Sequence, residues 1–505
     1  MDRVDNYLIK AFEAKQQDLR DLAMEYFTKA AAEEPEDIEI LIELAKSQID
    51  CGLKADARAT LGTASKLDCG DIELSMELGR ALRLAGATEQ ALDVFRQAAL
   101  QPKHSAQATL DAVLLLERQH RLDESAKLLS RCRASKNAPQ IKLAVGCLAE
   151  RRGDLDKALR LYRRVWGLGK GDLSVEAGYR LARLLDRSGK PDEAMGILET
   201  CKNAEKPGIS VGYLAEFVKR RRAQDVGIAA ALPEDWFEPR EASADKLGGL
   251  LVLGHPRSGT TLLAKLLSSK YRMSWVDESP TFDVMGQRFL ARKNAEAGVG
   301  GFIRVLENAT RREIGEFEEE YHARMTKEAG GEVRILLDKN PGLSASLPAL
   351  SRLLPHSRWA FLMRDPRDVA LSCYFQRLGN TPLGFCSLTL DGALEAVLHV
   401  HSYWKALRSR VPESHVAELK YEDLVLRPDP IVSEVAERLG CPVSEVVDAD
   451  EKHDAPLLES PTYAEIQQPV HTRTTMRWTK HRAVFDGKRN AILDEILETW
   501  GYDGA

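Results

Sequence analysis

The sequence lacks long apolar runs and a strong charge of either sign. Its 505 residues contain 71 Lys+Arg and 77 Asp+Glu, a net charge of −6. This balance argues against non-specific nucleic-acid binding as the main function. No apolar run approaches the roughly 18 residues that a membrane-spanning helix needs. The opening residues, MDRVDN, include acids and no apolar core, so we expect no secretory signal.

Cysteine is sparse, and none of the eight cysteines forms a C-x-x-C pair. A disulfide framework or a zinc site is therefore not indicated, and we expect a reducing cytoplasm. No His, Asp or Glu cluster has the spacing of metal ligands, so we expect no metal. Aromatics make up only 6% of the chain, which suits Ala/Leu-rich helices. At roughly 150 residues per domain, the length predicts about three domains, or fewer with a long repeat array.

A small residue recurs in the first half at intervals of 33 to 36 residues. The six positions are Ala23, Ala57, Ala91, Ser125, Ala158 and Ala194. A large apolar residue follows each by four positions, at Phe27, Leu61, Phe95, Leu129, Tyr162 and Leu198. Glycine stands five residues before most of them, with Asp18 and His120 as the exceptions.

The period predicts a series of helical hairpins. The glycine ends the first helix in a left-handed turn, the small residue lets two helices approach, and the large one fills the gap to the next repeat. The pattern resembles the tetratricopeptide repeat over residues 5–205. We therefore predict a repeat array over 1–215, which binds a partner or an acceptor protein and performs no chemistry. The basic run at residues 218–222 is interpreted as a solvated helix end.

The second half begins after a linker predicted at 216–246. The apolar run 247–253 predicts a buried strand, and helical spacing of leucines follows Thr261. Between them stands the glycine-rich turn Gly254-His-Pro-Arg-Ser-Gly259-Thr-Thr261. Strand, glycine-rich turn and helix together place backbone N–H groups and a helix N-terminus around an anion. Thr260 occupies the position of the lysine in a nucleotide-binding P-loop, and Arg257 supplies the cation instead.

The loop resembles the 5′-phosphosulfate loop of sulfotransferases, which use 3′-phosphoadenosine 5′-phosphosulfate (PAPS). The resemblance covers residues 247–505 and implies a P-loop-like α/β domain with a central parallel sheet. It assigns donor binding to loop residues and to partners further along the chain: Arg257, Ser258, Gly259, Thr260, Thr261, Arg364, Ser372 and Tyr421. Of these, Arg364, at the end of the predicted strand 357–363, and Ser372 would bind the 3′-phosphate.

Motif spacing is closest to the tyrosylprotein branch of that family and its bacterial relatives fused to tetratricopeptide repeats. The resemblance implies that Glu278 and Lys339 are catalytic. It also implies that the segment 469–478 closes over the donor. One departure is Gln376, which stands where that branch has an arginine; Arg377 is adjacent. The grip on the 3′-phosphate is therefore expected to differ in detail. The closing contacts around Thr474 stay open.

The expected chemistry is in-line sulfuryl transfer to a hydroxyl. Glu278 is the predicted general base, and Arg257 and Lys339 would neutralise charge on the transferred group and the leaving phosphate. Asp277 precedes Glu278 directly, and on a regular strand or helix its side chain is expected to point in a different direction from that of Glu278. His322 is the alternative base, although a surface histidine is the favoured interpretation.

Several alternatives stay open. The acceptor is a peptidyl tyrosine, a carbohydrate or a small metabolite, and a homodimer is an open assembly state. A P-loop small-molecule kinase and a scaffold with a degenerate enzyme domain are the competing functions. We expect helices over 282–330 to form a cap and residues 379–384 to form a mobile loop. A chain starting near Ala242 is expected to keep donor binding.

Overall fold

The computed structural model describes residues 3–238, 248–271, 273–293, 296, 298–331, 333, 335–441, 469–486 and 491–502. Contacts between residues divide the chain into two compact units. The first comprises Met1–Leu184 and Pro280–Arg288, and the second comprises Leu185–Ser279 and Phe289–Ala505.

The N-terminal helices follow one another in antiparallel pairs, as the 34-residue period predicts. Their bounds are α1 Arg3–Gln16, α2 Arg20–Glu33, α3 Ile38–Asp50, α4 Lys54–Ala64, α5 Ile72–Leu84, α6 Thr88–Ala98, α7 Ser105–Arg118, α8 Leu122–Arg131, α9 Pro139–Arg151, α10 Leu155–Trp166, α11 Asp172–Arg187 and α12 Pro191–Glu205. All six recurring small residues are buried.

The turn inside each pair has one left-handed residue. Gly52, Gly86, Gly153 and Gly189 have φ between 76° and 83°. Asp18 and His120, the two departures from the glycine rule, take the same conformation with φ of 55° and 59°. The turn geometry is therefore kept even where a Cβ makes it less favourable, at a cost of roughly 1–2 kcal/mol.

In two hairpins the large residue of the repeat lies on a glycine of the preceding helix. A Cβ built on Gly79 would lie 2.6 Å from the Phe95 ring, and one on Gly146 would lie 2.7 Å from the Tyr162 ring. Any side chain at these two glycines would therefore collide with the ring. The expectation that the large residue also fills the gap to the next repeat stays a prediction.

Replacing a turn glycine tests this geometry. Gly153 has φ of 83° and open space around its Cα, so Gly153→Ala adds only backbone strain. We expect the free energy of unfolding to fall by about 1 kcal/mol, measured by urea denaturation. Gly196→Ala is the control, because Gly196 lies inside α12 with equal space and an ordinary φ. There the same change should stabilise by about 0.5–1 kcal/mol. Equal effects at both positions would contradict the turn assignment.

The second unit contains a parallel five-stranded sheet in the order β2-β3-β1-β4-β5. The strands are β1 Gly249–Gly254, β2 Met273–Asp277, β3 Ile335–Lys339, β4 Ser357–Met363 and β5 Val416–Lys420. The strand predicted at 357–363 is confirmed. Because all strands run in parallel, their carboxyl ends meet at one edge, where ligands bind in open α/β sheets.

Helices precede, connect and follow the strands. Their bounds are α13 Val211–Ala231, α14 Thr260–Tyr271, α15 Thr281–Arg292, α16 Val299–Glu307, α17 Arg311–Glu328, α18 Leu347–Leu353, α19 Pro366–Tyr374, α20 Pro382–Cys386, α21 Leu390–Arg408, α22 Tyr421–Leu426, α23 Pro428–Arg438, α24 Arg482–Asp486 and α25 Ala491–Trp500. The helical prediction for 282–330 is confirmed by α15, α16 and α17.

Residues ahead of the sheet pack against it. Trp236 is fully buried, and its indole Nε1 donates to the Pro348 carbonyl at 3.1 Å. The Arg352 guanidinium stacks 4.4 Å from the Trp236 ring centre. The Arg410 guanidinium donates to the Leu232 carbonyl at 2.9 Å. The stretch from α13 to Trp236 is therefore part of the core of the sheet-containing unit.

The basic run 218–222 lies inside α13 and not at its end. Arg221 donates to the Ala345 carbonyl at 3.1 Å, and Arg222 pairs with Glu395 at 3.2 Å. The interpretation as a solvated helix end is therefore wrong, because two of its arginines fasten α13. The predicted boundaries at 215 and 247 stay a prediction. Residues 239–246 of the predicted linker lie outside the described residues.

Candidate functional site

The glycine-rich turn leaves the carboxyl end of β1, the middle strand, and enters α14 at Thr260. Gly254 and Gly259 have φ of 133° and 107°. A Cβ on Gly259 would lie 2.3 Å from the Tyr421 ring, so only glycine allows this approach. The first N–H groups of a helix have no partner within the helix. The turn and the start of α14 therefore suit an anion, as the sequence predicts.

Two side chains of the turn support that interpretation. The Ser258 hydroxyl is buried, and among the described residues it has no hydrogen-bond partner. A buried polar group without a partner is costly, which suggests that a ligand satisfies it. Arg257 has a left-handed backbone, with φ of 76°, and its Nε donates to the Ser372 hydroxyl at 3.1 Å. The turn therefore joins α19 through an arginine–serine contact.

Arg364 follows β4 directly and lies beside the turn. Its Nη1 donates to the Arg257 carbonyl at 3.3 Å. Its guanidinium stacks on the Tyr421 ring at 4.3 Å, and the nearest Asp368 oxygen is 3.8 Å away. Burial raises the pKa of Asp368 to about 6. The structure thus brings together Arg257, Arg364, Ser372 and Tyr421, which sequence analysis assigned to one ligand.

The segment predicted to close over the donor contacts these residues. The Thr474 carbonyl accepts from Arg364 Nη2 at 2.6 Å, and its hydroxyl lies 2.8 Å from the Tyr421 hydroxyl. Further along, the Trp478 N–H donates to Asp368 Oδ1 at 2.8 Å. The Arg367 guanidinium stacks 3.5 Å from the Trp478 ring centre. Residues 474–478 therefore run across the ends of β4 and β5.

Asp186, in the last turn of α11, holds the far end of this segment. Its carboxylate accepts from Arg477 Nε at 2.8 Å and lies 2.7 Å from His481 Nε2. Burial acts to raise the pKa of Asp186, but the bond to His481 and the charge of Arg477 outweigh burial and lower it. No motif links Asp186 to residues almost 300 positions later, so sequence reasoning missed this contact.

Lys339, the last residue of β3, is the centre of a carboxylate cluster. Its ammonium lies 2.5 Å from Asp277 Oδ1 and 2.6 Å from Glu278 Oε1. The Lys339 side chain is fully buried, Asp277 is 9% exposed and Glu278 is 53% exposed. Burial acts to lower the pKa of Lys339, but the two carboxylates outweigh burial and raise it.

The expectation that Asp277 faces away from Glu278 is wrong. It assumed a regular backbone, in which successive side chains point to opposite faces. Glu278 instead has φ of 51°, a left-handed conformation. This bend brings both carboxylates to one ammonium, while the Glu278 N–H still donates to the Lys339 carbonyl at 2.8 Å. Alternation of side chains contains no signal of such a bend.

His322 lies at the opposite edge of the sheet. Its ring comes within 3.5 Å of a Cβ built on Gly249, the first residue of β1. At about 3.3 Å per residue, β1 separates that edge from the carboxyl edge by roughly 16 Å. His322 is half-buried there. It is therefore not placed to act as the alternative base.

The region after α19 includes Gln376 and the predicted loop 379–384. Arg377, which is adjacent to Gln376, pairs with Glu205 at 2.8 Å. Residues 382–386 form α20, and Thr381 caps it by accepting from the Gly384 N–H at 3.0 Å. The Ser210 N–H donates to the Asn380 side chain at 2.9 Å. The loop predicted at 379–384 is therefore shorter than expected, because α20 begins at Pro382. Its mobility stays a prediction.

Within the described residues, no group of three or more His, Cys, Asp or Glu side chains is arranged to hold a metal ion. No described helix combines the length and apolarity needed to cross a membrane.

Comparison with protein families gives two matches. Residues 249–445 match the sulfotransferase family. Residues 16–76 and 149–207 match the tetratricopeptide repeat. The chain therefore combines an N-terminal region of tetratricopeptide repeats with a sulfotransferase-type domain built on a parallel five-stranded sheet.

Solved structures resemble the two parts separately. The sulfotransferase domain of the olefin synthase from Synechococcus PCC 7002 is 19% identical, with a TM-score of 0.30, over 51% of this chain and 95% of that one. The sulfotransferase domain of the curacin biosynthetic pathway is 14% identical, with a TM-score of 0.32, over 51% and 99%. A tetratricopeptide repeat protein from Parabacteroides merdae is 17% identical, with a TM-score of 0.31, over 40% and 79%. At these TM-scores the likenesses support no further conclusion.

Proposed function

We propose, starting from the match of residues 249–445 to the sulfotransferase family, that this protein transfers a sulfuryl group from PAPS to a hydroxyl acceptor. The observation that carries the proposal is the convergence of Arg257, Arg364 and Ser372 on a glycine turn whose buried Ser258 hydroxyl has no described partner. Cations and hydroxyls in this arrangement suit a ligand with two separate anionic groups.

The donor's two ends would be held by different residues. The turn from Arg257 to Thr261, at the start of α14, would bind the 5′-phosphosulfate through N–H groups and the Ser258 hydroxyl. Arg364 and Ser372, from the end of β4 and from α19, would bind the 3′-phosphate. Tyr421 would pack beside the nucleotide, because its ring already covers Gly259 and stacks on Arg364.

Glu278 is the carboxylate best placed to receive the acceptor's proton. Its side chain is half exposed, whereas Asp277 is almost completely buried. An acceptor can therefore reach Glu278 and not Asp277. Arg257 and Lys339 would stabilise the charge that develops on the transferred group and on the leaving phosphate. This assignment gives no role to a metal.

The acceptor class and the setting are part of the same proposal. The proposed acceptor is a peptidyl tyrosine, and the alternative is a hydroxyl of a carbohydrate or a small metabolite. The repeats would present a protein acceptor. The eight cysteines are thiols, and six of them are buried. Thiols throughout the chain suit the reducing cytoplasm that we propose as its compartment.

A thermal-shift comparison tests the donor class. 3′-Phosphoadenosine 5′-phosphate at 100 times its dissociation constant should stabilise the protein by about 2.7 kcal/mol. ATP with magnesium at the same concentration should stabilise it far less, because it lacks the 3′-phosphate. Stronger stabilisation by ATP and magnesium would favour a P-loop kinase instead.

Removal of the Arg364 side chain should affect nucleotides with a 3′-phosphate and spare those without one. We expect Arg364→Ala to weaken PAPS binding by roughly 10- to 150-fold, since a charge-assisted contact contributes about 1.5–3 kcal/mol. Binding of adenosine 5′-phosphosulfate, which has no 3′-phosphate, should change little. Isothermal titration of both nucleotides measures the difference. Arg312→Ala, at an exposed position of α17, is the control. Equal losses for both nucleotides would show that Arg364 does not read the 3′-phosphate.

A further inference from the structure

Two carboxylates share one buried ammonium at the carboxyl edge of the sheet. Asp277 Oδ1 and Glu278 Oε1 both lie within 2.6 Å of Lys339 Nζ. The Glu278 N–H donates to the Lys339 carbonyl, which joins the bend after β2 to the end of β3. Asn340 Nδ2 also donates to the Ser279 carbonyl at 2.8 Å.

The two carboxylates differ in what can reach them. Asp277 is 9% exposed and ends β2, whereas Glu278 is 53% exposed and lies in the bend after it. A general base must loosen its ion pair during each turnover, because its carboxylate has to contact the acceptor hydroxyl to receive the proton. Glu278 has the solvent access for that contact, and Asp277 lacks it.

The buried ammonium of Lys339 would be unfavourable without a carboxylate beside it. Lys339 is fully buried, and removing one partner of a buried ion pair leaves a charge that is costly to keep. If Glu278 were its only partner, every departure of Glu278 towards the acceptor would leave Lys339 unbalanced. A second carboxylate that stays in place avoids this cost.

We propose that Asp277 is a positioning residue that keeps Lys339 in place and charged, so that Glu278 is released to act on the acceptor. The inference rests on the proposed function. In that reaction the acceptor hydroxyl gives its proton to Glu278, and its oxygen bonds to sulfur. The bond between sulfur and the bridging oxygen of the 5′-phosphate breaks, and that phosphate leaves with the electron pair. Asp277 exchanges no proton and forms no covalent bond.

The proposal predicts a specific pH effect of Asp277→Asn. Asp277 and Glu278 are the charged groups that face Lys339 from β2 and from the bend after it. Loss of one carboxylate lets burial lower the pKa of Lys339, so its charge is lost at a lower pH. We expect turnover to fall by roughly 10- to 100-fold and the alkaline limb of the rate profile to move to lower pH. The Michaelis constant for the donor should change less than threefold.

Asp391→Asn is the matched control, because it makes the same chemical change at an exposed position at the start of α21. It should leave turnover and the pH profile unchanged. A fall in turnover with an unmoved alkaline limb would overturn the proposal, since that result indicates only a structural role. Unchanged turnover would overturn it as well.

A second measurement separates this inference from the proposed function. Titration of Lys339 by NMR, with lysine labelled at its ε-carbon and Lys339→Arg used to assign the signal, requires no turnover. The pKa of Lys339 should be lower in Asp277→Asn than in the unaltered protein. An unchanged pKa overturns the role of Asp277. Absence of sulfuryl transfer by the unaltered protein, with the pKa shift present, overturns the proposed function alone.

Discussion

Glu278→Gln is expected to lower turnover by roughly 10²–10⁴, which is the usual contribution of general-base catalysis. The amide keeps the shape of the carboxylate and cannot accept the acceptor's proton. Binding of PAPS should change little, because a carboxylate beside a polyanionic nucleotide adds no attraction. Steady-state kinetics with a phenolic acceptor and titration of 3′-phosphoadenosine 5′-phosphate measure the two quantities.

The acidity of the acceptor provides the decisive comparison. A phenol has an unperturbed pKa of about 10 and a glutamic acid about 4.3, so an ordinary phenol depends on the base. A nitrophenol is largely ionised near neutral pH and should recover much of the activity of Glu278→Gln. Arg257→Ala should instead lose both nucleotide affinity and turnover, with no recovery on the nitrophenol.

Near-normal turnover of Glu278→Gln on an ordinary phenol would show that the base is another residue. His322 would not replace it, because His322 lies against the amino end of β1.

Deletion of everything before Ala242 is expected to abolish the soluble protein. Sequence analysis predicts that such a chain keeps donor binding, but the structure gives a physical reason against that. The deletion removes Trp236, which is fully buried and bonds to the Pro348 carbonyl, together with α13. Loss of a buried tryptophan side chain alone typically costs about 3–5 kcal/mol, a large part of the stability of most domains. Expression yield and circular dichroism measure the outcome.

A shorter deletion is the control. A chain starting at His104 loses α1 to α6 and keeps the second compact unit, including Trp236. Because every residue of the second unit remains, the chain should fold and bind 3′-phosphoadenosine 5′-phosphate with unchanged affinity. A folded, nucleotide-binding chain from Ala242 would contradict the structural role of residues 185–238. It would then support the boundary predicted from the sequence.

Regular features of the fold were predictable from the sequence. The 34-residue period gave the helix pairs, and the apolar run before Arg364 gave β4 with its correct ends. Both signals are local and repeat along one element, which is why a pattern of residue types reveals them. The glycine turn after β1 was predictable for the same reason.

The failures arose where backbone conformation or distant contacts decide the structure. The left-handed conformation of Glu278 brings its carboxylate to the same ammonium as that of Asp277, and no residue type there signals it. His120 takes the left-handed turn conformation for which the repeat pattern predicts glycine. Asp186 and Arg477 meet across 291 positions, and Trp236 packs on a carbonyl 112 positions later. Contacts at such separations leave no pattern in a single sequence.

The strand order has a consequence for how such an enzyme can diverge. β1 lies between β3 and β4, so its turn has neighbours on two sides. On one side, Arg364 follows β4 and Tyr421 follows β5. On the other side, Lys339 ends β3 and Glu278 follows β2. On the proposed function, one side reads the common donor and the other meets the acceptor. Mutations can then accumulate beside β2 and change the acceptor, while selection on β4 and β5 preserves the donor that every descendant shares.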